Sequence, residues 1–240
     1  MPYRRLPNTD QSRLRALRTM IRECDSQDFS DPIVSFKNVI EAKNFLSFFE
    51  KQLSQYQQTL ESQVNANKKY QQIVHNARLY ISHFIQVFNL SVIRGEIKKE
   101  HKLLYRLDPD THTVPDLSTE ANLLTWGKNV IDGEYERVRI GGLPIYNPAI
   151  AKVKVHYEVF KEYKTTQKLH QSATNRNWDE LVKLRIKADD LILNIWNQIE
   201  EKYQNLTPYN RYMACKKCGV IYYYRKGEKE LTPDDEATAE

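Results

Sequence analysis

From Ile33 to Arg94 the chain contains neither a glycine nor a proline. So long a run without a helix breaker argues against a turn-rich β fold. Its apolar residues Val39, Ala42, Leu46, Phe49, Leu53, Tyr56 and Leu60 follow one another at steps of three and four, which places all seven on one helical stripe. The stripe lapses through the polar segment ESQVNANKK and resumes at Tyr70, Ile73, Ala77, Tyr80, Phe84 and Phe88. That lapse predicts a tight reversal between Asn65 and Asn67, and hence a long antiparallel helical hairpin.

The rest of the chain reads in the same way. A first helix is expected over 10–24, capped by Asn8, Thr9 or Asp10, with Leu14, Leu17, Ile21 and Cys24 at helical spacing. The proline-bearing segment YRLDPDTHTVPDLS, 105–118, is a connector. Beyond it a helix capped by Ser118 or Thr119 runs to the GGLPIYNP segment, with Gly127 and Gly133 weakening its middle. A further helix starts near Pro148 and carries Ile150, Val153, Tyr157 and Phe160. The polar QSATNRN stretch, 171–177, ends it, and a last helix carries Leu181, Leu184, Ala188, Leu191, Ile195 and Ile199. The class is therefore all-α: about six helices in two antiparallel long-hairpin units, with a short C-terminal β-strand. The expected organisation is an N-terminal helical unit at 1–104, the connector at 105–118, a C-terminal helical unit at 119–212, the strand at 213–227 and an acidic, disordered tail at 228–240.

The two halves also resemble each other. A shift of 112 lays Pro32 and Ile33 on Pro144 and Ile145, and a shift of 111 lays Ala77, Ile81, Phe84 and Phe88 on Ala188, Ile192, Ile195 and Ile199. An internal duplication of a unit made of a short helix and a long hairpin would produce these matches. So would helical periodicity alone, since any two amphipathic hairpins slide into register cheaply.

Charge narrows the choice of partner. The net charge is +5, but the segment after Gly227 holds six acidic residues against one lysine, so residues 1–227 carry +10. A basic body favours an anionic partner. The N-terminus has no apolar segment of signal-peptide type, and LYISHFIQVFNLSVI, 79–93, is too short and too interrupted to span a bilayer. Three cysteines cannot all pair. The expected setting is the cytoplasm, with no membrane contact.

No catalytic pattern is present. None of the six histidines has a glutamate three positions before it, as a di-iron bundle site needs, and the chain has no phosphate-cradling glycine loop, no nucleophile elbow and no paired-histidine metalloprotease motif. Asp189 and Asp190 are adjacent and diverge on a helix. Cys215 and Cys218 have the spacing of half a zinc site, yet no second pair follows, and GVIYYYRK after them reads as a strand. The expectation is no metal, no cofactor and no enzymatic site, although an unfamiliar one between the helical halves is a third reading.

Four segments carry a likeness. MPYRRLPNTD, ARLYISHFIQVFNL followed by RGEI, DLILNIWNQIE, and the closing strand that ends in YRK resemble, over nearly the whole chain, a family of uncharacterised all-helical bacterial proteins of about this length. That resemblance implies no activity, ligand or site residue. The family's tail reads with an aromatic where this chain has Cys218, which weakens the zinc reading further.

The leading expectation is a non-enzymatic scaffold that binds another protein. The alternative is an RNA- or ribosome-associated protein. Its site would be Arg4, Arg5, Arg13, Arg15, Arg18 and Arg22, which crowd the first 22 residues without a lysine among them. Arg15, Arg18 and Arg22 share the helix face opposite Leu14, Leu17 and Ile21, and a guanidinium fork suits phosphate.

Overall fold

In the computed structural model, residues 2–26 and 31–233 are described. The elements run β1 (Tyr3–Arg4), α1 (Asp10–Asp25), α2 (Phe36–Ile93), a 3₁₀ helix (Lys99–Tyr105), α3 (Glu120–Arg139), α4 (Ile150–Lys202), α5 (Pro208–Lys217) and β2 (Tyr222–Tyr223). The fold is all-α, with a two-stranded antiparallel sheet formed by the chain ends. From residue 234 onward the expected acidic tail lies outside the described residues.

Local chemistry explains where the short helices start. Thr9 caps α1 in a reciprocal box: its hydroxyl accepts from the Ser12 amide at 3.2 Å, and its own amide donates to the Ser12 hydroxyl at 3.1 Å. Thr119 caps α3 with its hydroxyl alone, accepting from the Asn122 amide at 3.1 Å. The glycines inside α3 serve close packing. A Cβ on Gly127 would lie 2.3 Å from the Tyr157 ring, and one on Gly133 would lie 2.7 Å from the Tyr105 ring.

The reversal expected between Asn65 and Asn67 is absent, because α2 is one helix of 58 residues. The break expected at 171–177 is absent too, since α4 is one helix of 53 residues. The physical reason lies in what faces the polar stretches. Thr174 donates from its hydroxyl to the Thr59 carbonyl at 3.3 Å, and the Gln167 amide donates to Asn67 Oδ1, also at 3.3 Å. Polar side chains of the two helices meet there, so the apolar stripe lapses without the helix ending.

The chain divides into two compact units, Met1–Gln58 with Asn175–Glu240, and Thr59–Thr174. This differs from a division into halves in sequence order, because α2 and α4 each supply a segment to both units. In the first unit the two segments run antiparallel. The Asn38 amide donates to Asn194 Oδ1 at 3.1 Å, the Ser35 amide donates to Gln198 Oε1 at 2.8 Å, and the Tyr56 ring meets Trp178 at 5.4 Å. Its core gathers Leu17, Met20, Ala42, Ile195, Trp196 and Cys215.

The second unit is also built on antiparallel segments, with Tyr80 stacked on His156 at 4.0 Å and Tyr70 on Phe160 at 6.3 Å. Its core includes Ile81, Phe84, Phe88, Leu123, Val153 and Phe160. The connector is held to this core: buried Lys102 donates to the Thr111 carbonyl at 2.5 Å, and Arg78 donates to the Leu117 carbonyl at 2.9 Å. Burial repeats at the shift of 111. Ala42, Phe49, Ala77, Ile81, Phe84 and Phe88 of α2 are all buried, and so are Val153, Phe160, Ala188, Ile192, Ile195 and Ile199 of α4. A short helix precedes each long one: α1 comes before α2 and α3 before α4.

Candidate nucleic-acid interface

The two chain ends meet as strands. Tyr3 lies opposite Tyr223 and Arg4 opposite Tyr222, and the Arg5 amide extends the pairing by donating to the Ile221 carbonyl at 3.1 Å. Successive strand side chains point to opposite faces, so this short pairing sorts its residues into two sets. On one face Arg4 and Tyr222 grip the same carboxylate of α4. Arg4 Nη1 donates to Glu200 Oε2 at 3.0 Å, and the Tyr222 hydroxyl donates to Glu200 Oε1 at 2.6 Å. The other face carries Tyr3, Arg5, Tyr223 and Arg225. The Arg5 guanidinium lies 5.7 Å from the Tyr223 ring centre, Arg225 lies 5.9 Å from that of Tyr3, and the two rings are 6.1 Å apart. Both rings stay open to solvent, at 42% for Tyr3 and 46% for Tyr223.

A cavity of about 430 Å³ adjoins this face, lined by Arg15 and Thr19 of α1, by Tyr212 and Lys216 of α5, and by Tyr223. Lys216 Nζ sits 5.3 Å from the Tyr212 ring centre, and Tyr212 packs at 5.5 Å against Tyr222. Gly219 makes the approach possible. It adopts φ +89°, and a Cβ there would lie 3.1 Å from the Ala16 carbonyl oxygen, so the chain leaving α5 passes directly over α1.

The cysteine pair anchors this turn. Cys215 lies in the last turn of α5 and Cys218 at its C-cap, both buried in the core of the first unit. The sequence assigned 213–227 to a strand; the helix takes residues up to 217, and the strand is only Tyr222–Tyr223. Burial pushes both thiols up, Cys218 to about 11, and burial with the hydrogen bond to Glu200 pushes the Tyr222 phenol up as well. Among the described residues no group of three or more His, Cys, Asp or Glu side chains is placed to hold a metal ion.

These protonated groups imply a pH dependence. A thiol in the unfolded chain titrates near its ordinary value of 9.0, whereas folded Cys218 keeps its proton up to about 11. Between those values the unfolded chain releases protons that the folded chain retains, so stability falls as pH rises. Calorimetry should show a melting temperature that is level between about pH 6 and 8 and declines from pH 9 to 11. A level profile across that window would contradict the burial of these groups.

The six arginines singled out from the sequence have different fates. Arg4 is taken by Glu200. Arg13 is buried and bonded to Asp189 through Nε and Nη2, both at 2.8 Å. Arg18 pairs with Glu50 at 2.7 Å and Arg22 with Glu23 at 3.4 Å. Arg15, Arg18 and Arg22 do share the exposed face of α1, opposite buried Leu14 and Leu17. The Arg225 backbone amide donates to Glu228 Oε2 at 2.8 Å, but among the described residues no ion pair engages the side chains of Arg5 and Arg15, nor those of Lys216 and Arg225, which sequence reasoning did not select. Its cue was available in the alternation of tyrosine and arginine in PYRR and YYYRK.

No protein-family model, curated protein or solved structure matches the chain. None of the helices formed by the described residues is long and apolar enough to cross a membrane.

Proposed function

We propose that this chain is a non-enzymatic protein that binds single-stranded nucleic acid, with RNA as the probe, through the face formed by Tyr3, Arg5, Tyr223 and Arg225 and the adjoining Arg15, Tyr212 and Lys216. The observation that carries the reading is the interleaving of exposed tyrosine rings with cations whose side chains form no ion pair among the described residues. Aromatic faces accept any base, and unpaired cations track the backbone, which is the chemistry of sequence-tolerant single-strand binding. The three free cysteines suit a reducing cytoplasm.

The scaffold reading also has an observation behind it. Val182, Ile186 and Leu193 of α4 lie on one helical face and are exposed, a surface that an apolar partner helix would cover.

Fluorescence anisotropy with a labelled oligouridylate separates the two. The wild type should bind with a dissociation constant on the order of micromolar at physiological salt, as a non-specific site does. Tyr3→Ala with Tyr223→Ala should weaken binding about 5- to 150-fold for each base that loses its stacking platform, while the helical circular dichroism is kept. Arg18→Gln, which removes a cation already paired with Glu50, should leave binding unchanged. If the tyrosine double variant binds as the wild type does, this face is not the interface.

A further inference from the structure

The second unit holds a cavity of about 820 Å³, within the usual range for small-molecule sites of about 300–1,000 Å³. It lies where the segment after α3 folds over the 3₁₀ helix and the end of α2, and none of its lining residues belongs to the tyrosine–arginine face. Its floor is an ionic cluster with one unused edge. Arg137 is buried, donating through Nε to the Tyr105 hydroxyl at 2.8 Å and through Nη2 to Glu134 Oε1 at 2.9 Å and to the Leu143 carbonyl at 2.7 Å. Its Nη1 takes part in none of these bonds. That nitrogen lies beneath Gly142, where a Cβ would come within 2.7 Å of it, and both residues line the cavity.

Two more nitrogen-bearing residues line the same space. One is His101, whose Nδ1 is buried without a hydrogen-bond partner, which is costly unless a ligand supplies one. Lys98 lines the wall and has no carboxylate partner among the described residues. The one carboxylate on the wall, Glu96, pairs with Arg94 at 3.7 Å. The rim is apolar and left in water: Leu143 is 82% exposed, Tyr146 81% and Ile140 56%. Large apolar side chains gathered at the mouth of a cavity mark a surface that something apolar covers.

The charge balance selects the head group. Glu134 already neutralises Arg137, so the uncompensated charge of the cavity is that of Lys98, which suits a monoanion better than a phosphate dianion. We propose that this cavity binds an amphipathic monocarboxylate. Lys98, His101 and the free edge of Arg137 hold the carboxylate, and Ile140, Leu143 and Tyr146 cover the apolar body. A planar carboxylate matches both a guanidinium edge and an imidazole donor.

Isothermal calorimetry on the full chain tests this with octanoate, 1-octanol, octylammonium, acetate and inorganic phosphate. Octanoate should bind with one-to-one saturation, about tenfold or more tighter than octanol or octylammonium, because hydrogen bonds to a charged group provide the difference. Acetate and phosphate should show no saturable binding. Lys98→Ala with His101→Ala should weaken octanoate about tenfold or more with the melting temperature retained, since neither side chain belongs to the core. Leu143→Ser should weaken octanoate without changing the preference for the acid over the alcohol. Octanol binding as tightly as octanoate, phosphate binding in preference to it, or unchanged affinity in the double variant would each overturn the proposal.

Discussion

Replacing Glu134 with alanine is expected to lower the unfolding free energy by about 3–5 kcal/mol, the usual cost of leaving one member of a buried ion pair uncompensated. Glu134, Arg137 and Tyr105 are buried together in the second unit. The Glu134 carboxylate accepts from the Tyr105 hydroxyl, from Arg137 Nη2 at 2.9 Å, and from the Ile145 amide at 2.9 Å. Deleting it strands a guanidinium, a phenol and a backbone amide at once. Exchanging both charged partners for apolar residues of similar size, Glu134→Leu with Arg137→Met, should recover much of the loss, because no buried charge is then left unpaired. Urea unfolding followed by tryptophan fluorescence measures both variants. A cost for Glu134→Ala below about 1 kcal/mol would place this cluster in water rather than in the core.

Asn65→Pro is expected to cost about 3 kcal/mol or more, and Gln171→Pro a similar amount. Both positions are exposed within long helices, so the cost comes from the backbone and not from lost packing. Proline removes the amide that bonds to the carbonyl four residues earlier, and its ring clashes with that carbonyl. Thermal melts of the two variants test the continuity of α2 and α4. If the chain turned between Asn65 and Asn67, proline there would be tolerated and the melting temperature would hardly move.

Much of the architecture could be read from residue order because helix formation is a local matter. The absence of glycine and proline from Ile33 to Arg94 and the three-and-four spacing around Phe49 and Phe84 both survive in α2. The continuity of α2 past Asn65 could not be read. A polar lapse is compatible with a turn or with an uninterrupted helix, and here the exposed polar side chains of α2 and α4 meet, as Asn67 does Gln167. Residue order does not say which residues lie opposite each other.

The candidate site shows the same limit. The cluster of six arginines was legible, but the neutralisation of Arg4 and Arg13 was not, because their partners are Glu200 and Asp189, near the far end of the sequence. The tyrosine–arginine face was missed because neither strand has more than two residues, too few for alternation to stand out, and each exists only by pairing with the other.

The reading of this face as a nucleic-acid interface is tested most directly by the salt dependence of oligouridylate binding. Arg5, Arg15, Lys216 and Arg225 are the site's cations whose side chains form no ion pair among the described residues, so the slope of log affinity against log salt should be about −3, at about 0.7 per phosphate contact on a single strand. Replacing all four with glutamine should bring the slope close to zero and leave the helical signal intact, whereas Arg18→Gln with Arg22→Gln should leave it nearly unchanged. A slope that follows Arg18 and Arg22, or that persists when Arg5, Arg15, Lys216 and Arg225 are gone, would contradict the assignment of nucleic-acid binding to this face.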